Sequence, residues 1–280
     1  MILKPKNQIT QINKLSYIFY EIQALFTRLY IQTKRRPSTL ISGIVQPLLW
    51  LILFSALFQN APVGLFAQNI KYGHFLSPGI IIFTAFTSSI NAGLPLMFDR
   101  EFGFLNRLLI SPLISRDSLF ISSLFFITSI TILQTLIIIL FTIIKFHNIH
   151  QLHELLNIIL VILLISLSTS SISICLAFIL PGHIEFLAFT LIINLPMLFS
   201  STALAPLYFM PYWLQLVASI NPLTYAIEMI RYIITQKNTA LIIINTAWFH
   251  LGFYENLLLL ILFNILSFTI TKNIISYKFE

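Results

Sequence analysis

Long stretches without a charged side chain decide what this chain can fold into. An ionised side chain at the centre of a bilayer costs about 2.5 to 3.5 kcal/mol, and a membrane-spanning helix needs about 20 apolar residues. The stretches that lack Asp, Glu, Lys and Arg are 37–70, 72–98, 118–144, 155–184, 186–227 and 256–271. They predict an all-α, polytopic membrane protein with six transmembrane helices. We place the spans at 39–58, 75–97, 119–144, 155–179, 186–206 and 253–272.

Composition excludes a water-soluble globule. Only 9 % of the 280 residues are charged, against roughly a quarter in an ordinary soluble domain. No polar stretch is long enough to build a second core, so residues 1–280 are predicted to form one transmembrane domain. Within it we expect an arm at 1–38, a six-span core at 39–273 and a re-entrant outer segment at 207–235.

The stretch 186–227 is too long for one crossing. As a helix its 42 residues would reach about 63 Å, twice the bilayer core of about 30 Å. Pro206, Pro211 and Pro222 interrupt it, and proline breaks a helix because it has no backbone N–H to donate. We expect one full span, followed by a re-entrant outer hairpin that dips back before the last span.

Residues 238–254 leave two alternatives open. This segment carries Trp248 and Tyr254, and such aromatic residues are enriched at the membrane–water interface. An interfacial segment is favoured over a seventh span.

The N-terminal arm has the periodicity of a helix. Apolar residues recur at spacings of 3, 4, 3 and 4: Leu15, Ile18, Ile22, Leu25 and Leu29. This stripe predicts an amphipathic interface helix that lies flat on the membrane surface. Simple anchoring and a mechanical role both remain open for it.

The distribution of basic residues predicts which way the chain faces. Six spans place both termini on one side, where twelve of the sixteen Lys and Arg residues lie, against four on the other side. The positive-inside rule makes the richer side the cytosol-equivalent one. The net charge of +7 is therefore interpreted as a topology signal and not as a nucleic-acid-binding face.

The predicted spans offer no catalytic or metal chemistry. A proton-coupled transporter or an enzyme would bury ionisable residues there, and no GxxxxGK[ST] phosphate loop occurs in the sequence. Any ATP must then be bound by another polypeptide. His147, His150 and His153 are spaced by three, but on a helix they would spread over about 120°, so a solvated loop is favoured over a metal site. A lone cysteine, Cys175, excludes a disulfide framework within the chain.

Two predicted spans carry stripes of small residues. In the second span they are Ala85, Ser89 and Gly93, and in the fourth they are Ser166, Ser170, Ser173 and Ala177. Small residues at steps of four let helices approach closely. Packing within the chain is favoured over a subunit seam or a polar pathway.

The inner loop after the second span reads FDREFGFLNRLLISP at 98–112. Its apolar side chains recur at helical spacing: Phe98, Phe102, Leu105 and Leu109. Its polar side chains occupy the other faces: Arg100, Asn106 and Arg107. The pattern predicts a short amphipathic helix that either contacts a partner outside the membrane or only orients the third span.

The segment before the last span contains a second helix signature. Asn221 and Pro222 have the form of an N-cap and a first-turn proline. Glu228 and Arg231 are then neighbours at i, i+3, which lowers the cost of two charges at the outer boundary. An outer gate and a purely structural hairpin both fit.

Together these features resemble the ABC-2 type permeases, the membrane subunits of ATP-driven exporters. The resemblance rests on FDREFGFLNRLLISPLISR at 98–116 and ALAPLYFMPYWLQLVASINPLTYAIEMIR at 203–231, supported by RRP at 35–37. This chain is rich in Ile and Asn, and among such permeases it is most similar to those encoded in algal plastid genomes, with bacterial permeases next. The resemblance implies a plastid membrane, or a bacterial inner membrane, with both termini on the stromal or cytosolic side.

The resemblance also implies two groups of site residues. The ATPase-coupling region and inner gate would contain Arg100, Glu101, Gly103, Leu105 and Arg107. The outer gate would contain Pro211, Trp213, Asn221, Pro222, Glu228 and Arg231.

The leading hypothesis is a homodimeric exporter permease for an amphipathic or lipid-linked substrate. It has no nucleotide site or cofactor of its own, because a partner ATP-binding cassette subunit binds ATP and Mg. The second hypothesis is a membrane scaffold or assembly factor that docks a partner without transport.

Overall fold

Helices dominate the parts of the chain that the computed structural model describes, which are residues 14–59, 72–110, 117–146, 151–235, 244–245 and 250–279. The α-helices there are α1 Lys14–Lys34, α2 Pro37–Leu57, α3 Tyr72–Asn91, α4 Leu94–Glu101, α5 Phe104–Ile110, α6 Asp117–Phe146, α7 Leu152–Ile179, α8 His183–Phe199, α9 Tyr212–Ile220, α10 Pro222–Thr235 and α11 Phe253–Phe279. A short 3-10 turn, Leu207–Phe209, precedes α9. Two-residue strands β1 (Ile244–Asn245) and β2 (His250–Leu251) pair antiparallel.

Five segments are long and apolar enough to cross a membrane. They are Pro37–Leu57, Tyr72–Glu101, Asp117–Phe146, Leu152–Ile179 and Phe253–Ile275. They confirm a predominantly helical, multi-pass membrane protein and match five of the six predicted spans. The sixth, predicted at 186–206, corresponds to α8, which has 17 residues and falls short of the usual 20. The count of six remains a prediction.

Residues 244–245 and 250–251 pair as strands, with Ile244 opposite Leu251 and Asn245 opposite His250, so these four positions are not helical. The remainder of 238–249 lies outside the described residues. Helix α11 begins at Phe253.

Helix α3 forms the centre of the bundle. Almost all of its side chains are buried, and it contacts α2, α6, α7, α8 and α10. A helix that is apolar on every side is typical of a membrane span or of the core of a large protein. Helices α2 and α11 lie at the periphery, since 11 % of the α2 span and 17 % of the α11 span are buried.

The small-residue stripes pack α3 and its continuation α4 against α7. The Ser173 hydroxyl donates to the Ile90 carbonyl at 2.6 Å, and the Ser89 and Thr169 hydroxyls bond to each other. A Cβ on Gly93 would lie 2.1 Å from Ser173 Oγ. The favoured interpretation, packing within the chain, is therefore confirmed.

Two apolar clusters divide the bundle into two ends. We call the end that bears α1, α4 and α5 the terminal face, since the last turns of α11 also reach it: Lys272 Nζ lies 3.8 Å from Asp117 Oδ2. The opposite end, which bears α9 and α10, is the distal face. On the terminal face, Leu25 and Leu29 of the predicted α1 stripe are buried in one cluster with side chains of α6.

Gly79 tests the packing at the core of the bundle. A Cβ there would lie 2.6 Å from Ala203 Cα, and a backbone atom cannot rotate away. We expect Gly79→Ala to lower the Tm of the detergent-purified protein by about 2 to 6 °C, because overpacking outweighs the gain in helix propensity. Thermal unfolding followed by circular dichroism measures the shift.

Gly182→Ala is the matched control. Its new Cβ would lie 2.8 Å from the Glu185 carboxylate and at an ordinary contact distance of 3.8 Å from Glu101 Oε1, and the Glu185 side chain can swing aside. A Tm drop for Gly182→Ala as large as for Gly79→Ala would contradict this account.

Candidate functional sites at the two ends of the bundle

Arg100, on α4, hydrogen-bonds to the C-terminal end of α7. Its guanidinium donates to the carbonyls of Ala177 at 2.8 Å and Phe178 at 2.5 Å, and also to those of Leu180 and of Pro181 at 2.9 Å. The last carbonyls of a helix have no partner within it, and they carry partial negative charge. The Arg100 guanidinium therefore supplies hydrogen bonds to carbonyl groups at the C-terminal end of α7.

Glu101 likewise supplies a hydrogen-bond acceptor at the N-terminal end of the next helix, α8. Its carboxylate accepts the backbone N–H of His183 at 2.9 Å and lies 2.7 Å from His183 Nδ1. The N-cap of α8 is Gly182, which has no side chain with which to accept an orphan N–H. Arg100 and Glu101 together hold the turn between α7 and α8 from its two ends.

The predicted single helix over 98–112 is wrong, because the chain turns at Gly103. Helix α4 ends at Glu101 and α5 begins at Phe104. Gly103 has φ of +73°, a left-handed conformation that costs side-chain-bearing L-residues roughly 1 to 2 kcal/mol. Phe102, just before this turn, is 74 % exposed, and its ring stacks on that of Phe98 with centroids 5.8 Å apart.

Leu105 anchors helix α5 to the bundle. Leu105 is 2 % exposed and joins the terminal cluster, while Arg107 is exposed and Ile110 is 85 % exposed. One face of α5 thus holds it to the bundle and the other faces outward.

Sequence reasoning missed the ion pair between α1 and α4. Arg28 Nη2 lies 2.6 Å from Asp99 Oδ2, and the Arg28 guanidinium stacks over the Phe104 ring at 4.7 Å. Arg36 lies over the Phe98 ring at 5.9 Å. Asp99 stands beside Arg100 within the quoted motif, but no local spacing identifies a partner 71 positions away.

On the distal face, Asn221 joins three segments. Its amide Nδ2 donates to the Met197 carbonyl at 2.9 Å and to Ser200 Oγ at 3.1 Å, both near the end of α8. Its Oδ1 accepts the Leu223 N–H at 3.0 Å, as the predicted N-cap requires. Pro222 is the first residue of α10.

Arg231 is the centre of a second distal cluster. It forms the predicted ion pair with Glu228 one turn earlier, and the two side chains are 15 % and 17 % exposed. It also donates to the Thr202 carbonyl at 2.9 Å, and its guanidinium lies 3.9 Å from the centre of the Phe75 ring. Thr202 and Phe75 belong to distant segments, so sequence spacing could not predict these contacts.

The other predicted outer-gate residues lie on the surface. Pro211 precedes α9 and Trp213 is in its first turn, and both are exposed. The structure therefore separates them from the buried contacts of Asn221 and Arg231.

No cluster of His, Cys, Asp or Glu within the described ranges could hold a metal ion. His147 and His150 lie outside those ranges, and His153 is exposed at the start of α7.

Comparison with known proteins identifies the family. Residues 20–235 match the family model described as ABC-2 type transporter. The chain is 51 % identical to "Putative transport permease ycf38" of Pyropia yezoensis, over 99 % of this chain and 96 % of that protein. Proteins of the same name from Porphyra purpurea and Cyanophora paradoxa are 50 % and 46 % identical, each over 93 % of this chain and over 90 % and 92 % of their own lengths.

These relatives are encoded in algal plastid genomes, which confirms the predicted likeness. The family match covers both motifs, at 98–116 and 203–231. The chain therefore belongs to the ABC-2 type transporter family, whose members are membrane components of transporters.

Proposed function

We propose that this chain is the permease subunit of an ATP-driven exporter for an amphipathic or lipid-linked substrate. A separate ATP-binding cassette subunit binds ATP and Mg and hydrolyses the ATP. The proposal is carried by the position of helix α5. Its outer surface is exposed, and the residues just before it form an ion pair or hydrogen bonds with three other helices, α1, α7 and α8.

The outward surface of α5 has the character of a docking site. Phe102, just before α5, and Ile110, at its end, expose apolar side chains, and the cation Arg107 on α5 is exposed as well. Exposed apolar groups rimmed by charge mark protein–protein contacts. We assign this surface to the ATPase partner.

Contacts immediately before α5 would pass movement of the partner into the membrane. Asp99 ties α4 to α1 through Arg28, Arg100 ties it to the end of α7, and Glu101 ties it to the start of α8. A displacement of α5 would thus act on several helices together. Export requires that these contacts differ in free energy between inward-open and outward-open states.

The distal clusters would form the outer gate. Asn221 joins the end of α8 to the start of α10, and Arg231 joins α10 to α3 and to the turn after α8. Movement of α3 or α8 would alter both clusters. Pro211 and Trp213, exposed before and within α9, would face the outer compartment.

A six-span arrangement is part of the proposal, with α8 as the fifth crossing. Its 17 residues reach about 26 Å, close to the bilayer core, and it exposes Leu191, Ile192 and Leu195 as a lipid-facing helix would. Helices α9 and α10 then form the re-entrant hairpin, within the predicted segment 207–235.

The six crossings would place α1 and both termini on the stromal or cytosolic side, which we identify with the terminal face. Helix α1 exposes Tyr17, Phe19, Tyr20 and Tyr30, aromatic residues suited to the membrane surface. We propose it as the interface helix of a plastid membrane protein, with a bacterial inner membrane as the alternative location.

A second copy of the chain would complete the pathway. Helix α2 leaves most of its apolar surface uncovered, as do α8 and α11, so lipid and a second copy are the partners that we assign to these helices. A homodimer would contain twelve crossings.

Cysteine labelling tests the orientation. Cys175 is buried, so background labelling is low. In right-side-out bacterial membrane vesicles we expect Arg107→Cys to resist a membrane-impermeant maleimide, while Tyr212→Cys on the distal face reacts. The opposite pattern would overturn the orientation and the docking site together.

Charge reversal on α5 tests the docking site and the exporter function. We expect Arg107→Glu to reduce co-purification of the ATPase subunit about tenfold, an estimate based on the cost of like charges facing each other at an interface. Lys34→Glu makes the same charge change on α1 and should leave co-purification near the wild-type level. Quantitative pull-down from detergent extracts measures both.

ATP turnover of the reconstituted complex separates an exporter from a scaffold. The chain alone should hydrolyse no ATP, and the complex in liposomes should do so in an Arg107-dependent manner. Hydrolysis by the chain alone would contradict the division of labour. A complex whose turnover does not respond to any amphipathic compound would favour the scaffold hypothesis.

The ion pair on α10 tests the outer gate. Arg231→Gln leaves the Glu228 carboxylate largely buried without its cation, which is costly. We expect about a tenfold loss of ATP turnover by the complex in liposomes, with ATPase co-purification unchanged. The double variant Glu228→Gln/Arg231→Gln removes the unpaired charge and should recover part of the turnover. Equal turnover in the wild type and Arg231→Gln would exclude a gating role.

A further inference from the structure

We propose that a groove along α1 on the terminal face binds the anionic headgroup of a membrane lipid. The groove has a volume of about 830 Å³. Its lining includes Tyr20, Thr27, Arg28, Ile31, Arg35 and Arg36. The proposal rests on the membrane-surface position proposed above for α1.

The groove carries positive charge that the described protein does not neutralise. No carboxylate is among its described lining residues. Asp99 pairs with one terminal nitrogen of Arg28, but the buried Nε of Arg28 has no hydrogen-bond acceptor among the described residues. Neither Arg35 nor Arg36 has a carboxylate within 4.0 Å in the described part of the chain.

Guanidinium groups match the geometry of phosphate oxygens. Each can donate two parallel hydrogen bonds to an oxyanion. Arg35 and Arg36, with the terminal N–H groups of Arg28 that Asp99 does not accept, would surround one such group. The side-chain amides of Gln23 and Gln32 in the same lining provide further donors, whereas the Thr27 hydroxyl already donates to the Gln23 carbonyl at 2.7 Å.

The position of the groove selects a lipid over a free anion. Arg36 directly precedes Pro37, the first residue of the membrane-spanning helix α2, so the guanidinium groups lie where the chain enters the bilayer. Anionic headgroups concentrate cationic side chains at that level.

The apolar side of the groove points to the same conclusion. Ala24 and Ile31 line it four positions before Arg28 and Arg35, which places apolar and basic side chains along one helix stripe. An acyl chain can cover the apolar part of the stripe, whereas inorganic phosphate gains nothing from it.

Binding to the full-length chain in detergent tests the site without ATP or an ATPase, so the result is independent of export activity. Native mass spectrometry compares dioctanoyl phosphatidylglycerol with dioctanoyl phosphatidylcholine, which has the same acyl chains. We expect phosphatidylglycerol to bind at least tenfold more tightly. The double variant Arg35→Gln/Arg36→Gln should weaken phosphatidylglycerol binding about 30-fold, because each cation near the membrane surface contributes about 1 kcal/mol.

Lys34→Gln is the matched control, since Lys34 is an exposed cation beside the groove that does not line it. It should keep phosphatidylglycerol affinity within threefold. Arg35→Gln alone should give an intermediate loss and serves if the double variant does not fold.

Several outcomes would overturn the proposal. They are equal binding of the two lipids, wild-type affinity in the double variant, or a loss in Lys34→Gln as large as in the double variant. Displacement of the lipid by an equal concentration of inorganic phosphate would assign the groove to a free anion. Loss of the co-purified ATPase from the double variant with unchanged lipid affinity would assign it to the protein partner.

Discussion

Polar groups that enter a bilayer must find their partners inside the protein, and this constraint shapes the whole molecule. Within the helices, hydroxyl groups bond back to their own backbone, as Thr84 does with the Ile80 carbonyl at 2.7 Å. Helix ends cannot satisfy themselves in this way. Here side chains from other segments supply the missing hydrogen bonds. Arg100 bonds to the C-terminal end of α7 and Glu101 to the N-terminal end of α8, while Asn221 bonds to the C-terminal end of α8.

This way of closing helix ends has a mechanical result. A cap supplied by the same helix stabilises only that helix, whereas a cap supplied from elsewhere makes the positions of two helices interdependent. Arg100 and Glu101 are adjacent in sequence but serve the two sides of one turn. Two of the residues that the family resemblance assigns to coupling, Arg100 and Glu101, are thus also residues that link helices.

Sequence alone predicted the features that depend on local chemistry. Charge-free windows located the long helices, and the Asn221–Pro222 pair located the start of α10. The stripe at Ala85, Ser89 and Gly93 predicted a close helix contact, although not that its partner is α7. The 98–112 periodicity failed at Gly103, because apolar spacing does not reveal where the backbone turns left-handed. The contacts Arg28–Asp99 and Arg231–Thr202 could not be predicted from sequence, because they depend on how distant helices are arranged.

The geometry at Gly103 has a final consequence. A Cβ built there would meet nothing within 4 Å, so the position is restricted by chirality and not by volume. Any residue whose backbone tolerates positive φ, asparagine among them, could replace the glycine and preserve the bend. A force on α5 would reach α4 through the peptide backbone at this position, and residue 103 itself could differ among related proteins without changing the bend.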